Sequence, residues 1–191
     1  MIDLPLSTAL ISTGTVALSE IGDKTQLLAL LLAARFRKPL PIIAGILAAT
    51  LLNHAASAWL GAMIAHWLTP GVLRWVIAVS FIGIALWTLK PDTIDEDATL
   101  PAHGAFLATA IAFFLAEIGD KTQIATALLA TKYSPLWQVI SGTTLGMLVA
   151  DVPVVLLGAR FAHRLPLKAA RLTAALVFLA LGLWAAIHGV G

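Results

Sequence analysis

Two nearly identical charged octapeptides interrupt an otherwise apolar chain: Ser19-Glu20-Ile21-Gly22-Asp23-Lys24-Thr25-Gln26 and Ala116-Glu117-Ile118-Gly119-Asp120-Lys121-Thr122-Gln123. Their carboxylates and side-chain amides are hard oxygen donors of the kind that suits Ca²⁺ or Mn²⁺. Zinc or copper would favour His, Cys or Met, none of which occurs in either octapeptide. In a continuous helix the spacing of three would line Glu20, Asp23 and Gln26 along one face, and Glu117, Asp120 and Gln123 along another. Brought together, the two copies hold four carboxylates and two lysines, a formal charge of minus two that one divalent cation would cancel. Lys24 and Lys121 would then hold the carboxylates in place and limit repulsion in the empty site. Thr25 and Thr122 could cap freed backbone groups, add a hydroxyl ligand, or simply pack between helices. The glycine between the carboxylates lowers helix propensity and permits a local break, which sequence alone leaves open.

A plainer account is that Glu20 and Lys24, at i and i+4, form a structural salt bridge that duplication then copied. It leaves Asp23 and Asp120 without a cation. An ionised side chain at the centre of a bilayer costs about 2.5 to 3.5 kcal/mol, so charges retained there need pairing, water or a ligand.

The elements that carry these charges are membrane spans. Hydrophobic residues make up 60% of the 191 and charged ones only 12%, against roughly a quarter charged in soluble domains. Apolar runs at 4–34, 40–68, 72–89, 102–131, 136–165 and 169–188 predict six transmembrane helices, each long enough for a hydrocarbon core of about 30 Å. Fully helical, Pro5 to Ala33 would reach about 43 Å, with Glu20 near the middle.

An offset of 97 positions superposes the two halves without insertion: Glu20 on Glu117, Gly45 on Gly142, Arg74 on Arg171, Phe81 on Phe178 and Trp87 on Trp184. Three spans per repeat is an odd number, so the halves must cross the membrane in opposite directions. The expected fold is an all-α integral membrane protein of two inverted-topology three-helix repeats, residues 1–94 and 98–191, joined by an acidic linker at about 90–101. Arg35, Arg37, Lys38, Lys90, Arg160, Arg164, Lys168 and Arg171 follow or flank the odd-numbered spans, while only Arg74 and Lys132 lie on the opposite side. The positive-inside rule therefore predicts extracytoplasmic termini and a cytoplasmic linker. Trp67, Trp75, Trp87, Trp137 and Trp184 fall near span ends, as interfacial anchors do; Trp59 lies deeper and is expected to pack.

A second tier of polar residues lies in spans two and five, where Asn53 and His54 occupy places equivalent to Ala150 and Asp151. Asn53 and Asp151 could extend the site, because both are costly in lipid and Asp151 has no sequence-local partner. A neutral His54 needs only one interhelical hydrogen bond. Asp92, Asp95, Glu96 and Asp97 read as a solvated loop, or as a patch that collects cations. The first residues lack a basic stretch and a small-residue cleavage site, so the first span is expected to be retained. With no cysteine there is no thiolate site and no disulfide framework.

Both octapeptides match Glu-x-Gly-Asp-Lys/Arg-Thr/Ser, and the chain thereby resembles a membrane family that includes Golgi calcium/manganese-proton exchangers and bacterial manganese exporters. The resemblance covers the whole length, with no departure inside the motifs. It implies antiport of a divalent cation against protons, with Glu20, Asp23, Glu117 and Asp120 as ion-binding carboxylates and Glu20 and Glu117 as carriers of the proton. The short form looks like the bacterial branch, which implies manganese export from the inner membrane, with calcium the other candidate. The partners implied are lipid and divalent metal ions, with no resident cofactor, no nucleic acid and no enzymatic reaction; the oligomeric state stays open. An intramembrane aspartyl protease would need glycine where Glu20 and Glu117 stand. A passive divalent-cation channel could use acidic rings, but inverted repeats with mid-membrane charges favour alternating access.

Overall fold

The computed structural model describes residues 5–90, 104–158 and 166–189. The acidic side chains of the linker, together with Arg160, His163 and Arg164, lie outside the described residues. Among the described residues there are eight helices and no strand: α1 (Pro5–Glu20), α2 (Lys24–Phe36), α3 (Pro39–Trp67), α4 (Pro70–Thr88), α5 (Ala105–Glu117), α6 (Lys121–Lys132), α7 (Leu136–Leu157) and α8 (Leu167–His188). Four of these, α3, α4, α7 and α8, are long and apolar enough to cross a membrane. The stretches 4–34 and 102–131, expected as single spans, are each divided into two shorter helices.

Helix ends follow local chemistry. Pro39 and Pro70 open α3 and α4 at the first turn, where a missing N–H costs nothing. Arg37 closes α2 in the left-handed region at φ 53°, its N–H bonded to the Ala33 carbonyl. Glycines at positive φ follow α7 and α8, at Gly158 and Gly189.

Packing repeats with the sequence. The amino-terminal helix of each divided segment lies against a long helix of the other half, α1 on α7 and α5 on α3. Glycine makes both approaches possible. A methyl group added at Gly142 would lie 2.5 Å from the Ala9 carbonyl, and one added at Gly45 would lie 2.7 Å from that of Phe106, the residue equivalent to Ala9. Thr13 adds a hydrogen bond to the Gly142 carbonyl at 3.0 Å. The helices α4 and α8 pack on each other through Phe81 and Phe178, whose ring centroids are 6.0 Å apart. Because these two residues are equivalent in the repeat, their contact marks where a twofold relation between the halves would pass.

Polarity is distributed inside out. Leu51, Leu52, Leu86, Leu156, Leu172 and Leu176 are exposed on the outer faces, while Glu20, Asp23, Glu117, Asp120, His54 and Asp151 are buried within. Lipid outside and charge inside is the arrangement of a multi-pass membrane protein. Trp59 departs from the expectation of internal packing: at 60% exposure it stands among the outward apolar side chains of α3, where a bilayer would solvate its ring.

Candidate cation site

Both charged motifs break their helices in the same way. α1 ends at Glu20 and α2 begins at Lys24; α5 ends at Glu117 and α6 begins at Lys121. Gly22 and Gly119 take φ values of 81° and 74°, a left-handed conformation that a side chain would resist. At each break the aspartate N–H still bonds to the glutamate carbonyl, Asp23 to Glu20 and Asp120 to Glu117, both at 3.0 Å. Asp23 and Asp120 then stand in extended conformation at the starts of α2 and α6 without capping them through their side chains. The glutamines serve the break instead: Gly22 N donates to Gln26 Oε1 at 2.9 Å, and Gly119 N to Gln123 Oε1 at 2.7 Å. The single helix face expected for Glu20, Asp23 and Gln26, and for their counterparts, is therefore absent, because helical periodicity stops at the glycine. Gln26 and Gln123 turn their oxygens to the backbone, and Gln26 Nε2 also donates to the Ala150 carbonyl at 3.0 Å.

Breaking the helices frees the aspartates to pair across the halves. Lys24 Nζ lies 3.4 Å from Asp120 Oδ1, and Lys121 Nζ pairs with Asp23 Oδ1. These are one interaction in two copies, since position 24 corresponds to 121 and 120 to 23. The local Glu20–Lys24 salt bridge is thus replaced by two exchanged pairs. Among the described residues, Glu20, Asp23 and Asp120 each bring a carboxylate oxygen within 4.8 Å of the others. All three side chains are buried. The amino-terminal ends of α2 and α6 reach this cluster with their positive dipole ends, which favours the negative charge gathered there.

The glutamates are not equivalent. Glu20 receives both motif hydroxyls: Thr25 Oγ1 donates to Oε2 at 2.5 Å and Thr122 Oγ1 donates to Oε1. Thr25 also reaches Asp23 Oδ2 at 3.3 Å. Glu117 receives neither threonine and lies outside the group of three. Thr50 Oγ1, on α3, donates to its Oε1 at 3.1 Å, and His54 Nε2 lies 3.7 Å from its Oε2. Of the second tier, Asn53 Nδ2 donates to the Phe114 carbonyl at 3.2 Å, beside the second break. Asp151 is wholly buried, neither of its oxygens has a hydrogen-bond partner among the described residues, and it is close enough to feel the charges of both Glu20 and Glu117. Thr50 escaped the sequence reading because its repeat equivalent is Met147, so the comparison of halves carried no polar signal there. Its one legible trait was a hydroxyl in the middle of an apolar span, one turn before His54.

A buried oxygen cluster between exchanged lysines, held by broken helices in an apolar shell, defines an ion-handling membrane protein. Comparison with known proteins narrows the class: the family described as "Divalent cation/proton antiporter GDT1" matches residues 8–96 and 105–191, and the chain belongs to that family. It is 55% identical, over 93% of its length and 90% of the relative's, to a Vibrio cholerae protein named "Putative manganese exporter". It is 26% identical, over 87% of its length and 89% of the relative's, to "GDT1-like protein 5" of Arabidopsis thaliana. No solved structure matches.

Proposed function

We propose that this chain is a secondary antiporter of a bacterial inner membrane that exports Mn²⁺, with Ca²⁺ as the alternative cargo, in exchange for protons by alternating access. In this reading the two divided segments and four long helices make six spans, arranged as inverted repeats over residues 1–94 and 98–191, with both termini extracytoplasmic. The observation that carries it is the exchanged pairing of Lys24 with Asp120 and of Lys121 with Asp23 around the carboxylates of Glu20, Asp23 and Asp120. A cluster built from both halves is responsive to their relative movement. Family membership supports divalent cation and proton as the exchanged ions, and the name of the Vibrio relative supports manganese. Oxygen donors alone accept either metal.

Glu20, Asp23 and Asp120 bind the cation first. Glu117 is the fourth carboxylate of the pathway, and Asp151 and Asn53 line the approach. Lys24 and Lys121 position the aspartates, Thr25 and Thr122 orient Glu20, and Gln26 and Gln123 hold the breaks open. Carboxylates this close cannot all remain charged unless a cation or protons lie among them. Metal and protons therefore compete for one coupled set of acids, within which Glu20 and Glu117 are the candidate proton carriers. The metal-loaded and protonated forms change sides, while the empty ionised form does not, and exchange becomes obligatory.

Purified protein in liposomes tests this, with flux of Mn²⁺, Ca²⁺, Mg²⁺ and Zn²⁺ followed under imposed pH gradients at clamped voltage. The expected result is Mn²⁺ accumulation driven by an opposing proton gradient, with weaker apparent affinity when the metal-binding side is acidified. Flux that ignores the pH gradient identifies a channel instead.

A further inference from the structure

We propose that Thr50 and His54 are positioning residues that dock Glu117 away from the cation cluster, so that in this conformation the cluster is served by Glu20 alone. The inference rests on the antiport reading above and concerns how the two glutamates divide the work. Glu117 is fully buried; its Oε1 accepts a hydrogen bond from Thr50 Oγ1 at 3.1 Å, His54 Nε2 packs 3.7 Å from its Oε2 without a hydrogen bond, both from α3, and it stays outside the group formed by Glu20, Asp23 and Asp120. Glu20, its repeat equivalent, has no such dock. The positions matching Thr50 and His54 are Met147, which offers no comparable donor, and Asp151, a carboxylate that offers none when ionised. Both motif threonines donate to Glu20 and neither to Glu117. Repeated sequence has thus produced one resident glutamate and one docked glutamate, and the difference comes from α3 and α7 rather than from the motifs.

A twofold exchange of the halves converts the present cluster into Glu117, Asp120 and Asp23. The aspartates are common to both sets and only the glutamate changes. Release of Glu117 from Thr50 and His54 is then a step of the transport cycle, and the strength of the dock sets how readily a fourth carboxylate reaches the ion. Weakening the dock raises affinity for the cation and slows its departure.

Binding of Mn²⁺ alone to the purified full-length protein, read from loss of the free-ion electron spin resonance signal, tests this beside KM and maximal flux in liposomes. Thr50→Val, and Thr50→Val combined with His54→Leu, are expected to tighten Mn²⁺ binding about tenfold, the scale of one lost hydrogen bond to a charged group. Both are expected to lower KM and maximal flux together. Thr50→Ser, which keeps the hydroxyl, returns affinity and flux toward wild type. Adding Glu117→Gln to Thr50→Val abolishes the gain in affinity, because the gain comes from the released carboxylate. Unchanged or weaker binding in Thr50→Val, or a gain that survives Glu117→Gln, overturns the proposal. Wild-type Mn²⁺ flux that is indifferent to the pH gradient defeats antiport while the binding comparison still decides the dock; wild-type protein that binds no Mn²⁺ overturns both.

Discussion

The two helix breaks share residue types and backbone geometry but have different cover. Around Gly22 the cover is closer: a methyl group added there would lie 3.0 Å from Leu167 Cδ2 at the start of α8, and Gln26 is buried. Around Gly119 it is open: an added methyl group meets nothing within 4 Å, and Ile118 is 54% exposed. Local sequence determines how the chain bends, whereas the helices packed around the bend determine what can reach it. Unequal cover over equal motifs is what the proposed alternating access needs of any single conformation.

Neutralising the acids should have the largest effect. Glu20→Gln, Asp23→Asn, Glu117→Gln and Asp120→Asn are each expected to abolish most exchange in proteoliposomes while the protein still reaches the membrane. Full transport by any two of them would return the motif to a structural role. The lysines should then separate the halves. Lys121→Ala leaves Asp23 buried and short of its cation, at a cost of about 3 to 5 kcal/mol for a broken buried pair. Lys24→Ala costs less, because that side chain is partly solvated. Thermal unfolding in detergent measures both, and equal losses would mean that the two exchanged pairs are equally shielded. The smallest effect concerns the glycines. Either Gly→Ala change forces a side chain into the left-handed region, at about 1 to 2 kcal/mol. Gly22→Ala also meets Leu167, so it should be the more destabilising, and Leu167→Ala should narrow the difference.

Much of this arrangement was legible because membrane burial makes charge conspicuous. The helix bounds fall close to the apolar runs, the motif residues line the interior, and the offset of 97 anticipates the paired contacts at Gly45 and Gly142 and at Phe81 and Phe178. The failures share one cause. Spacing rules assume that the helix continues, so they aligned Gln26 with Glu20 and offered Glu20 to Lys24. Once Gly22 turns the chain, Gln26 meets the Gly22 amide and Lys24 reaches Asp120 on the other half. The inequality of Glu20 and Glu117 was hidden for another reason: it resides in Thr50 and His54 set against Met147 and Asp151, and a search for matching residues passes over positions where the halves differ.

The exchanged ion pairs also constrain how the protein is made. Lys24 is synthesised long before Asp120, and Asp23 before Lys121, while α1 finds its main helical neighbour in α7 near the end of the chain. Synthesis runs from the amino terminus at about 5 to 20 residues per second, so the first motif waits several seconds for its partners. During that interval Glu20, Asp23 and Lys24 have no cross-half contacts to offset their charge in hydrocarbon. The nascent first half must keep them hydrated, or sheltered by the insertion machinery, until the second half arrives. Assembly of the site therefore cannot precede synthesis of the second motif, and a ribosome stalled before residue 120 would hold a chain whose first charged segment still lacks its cross-half partners.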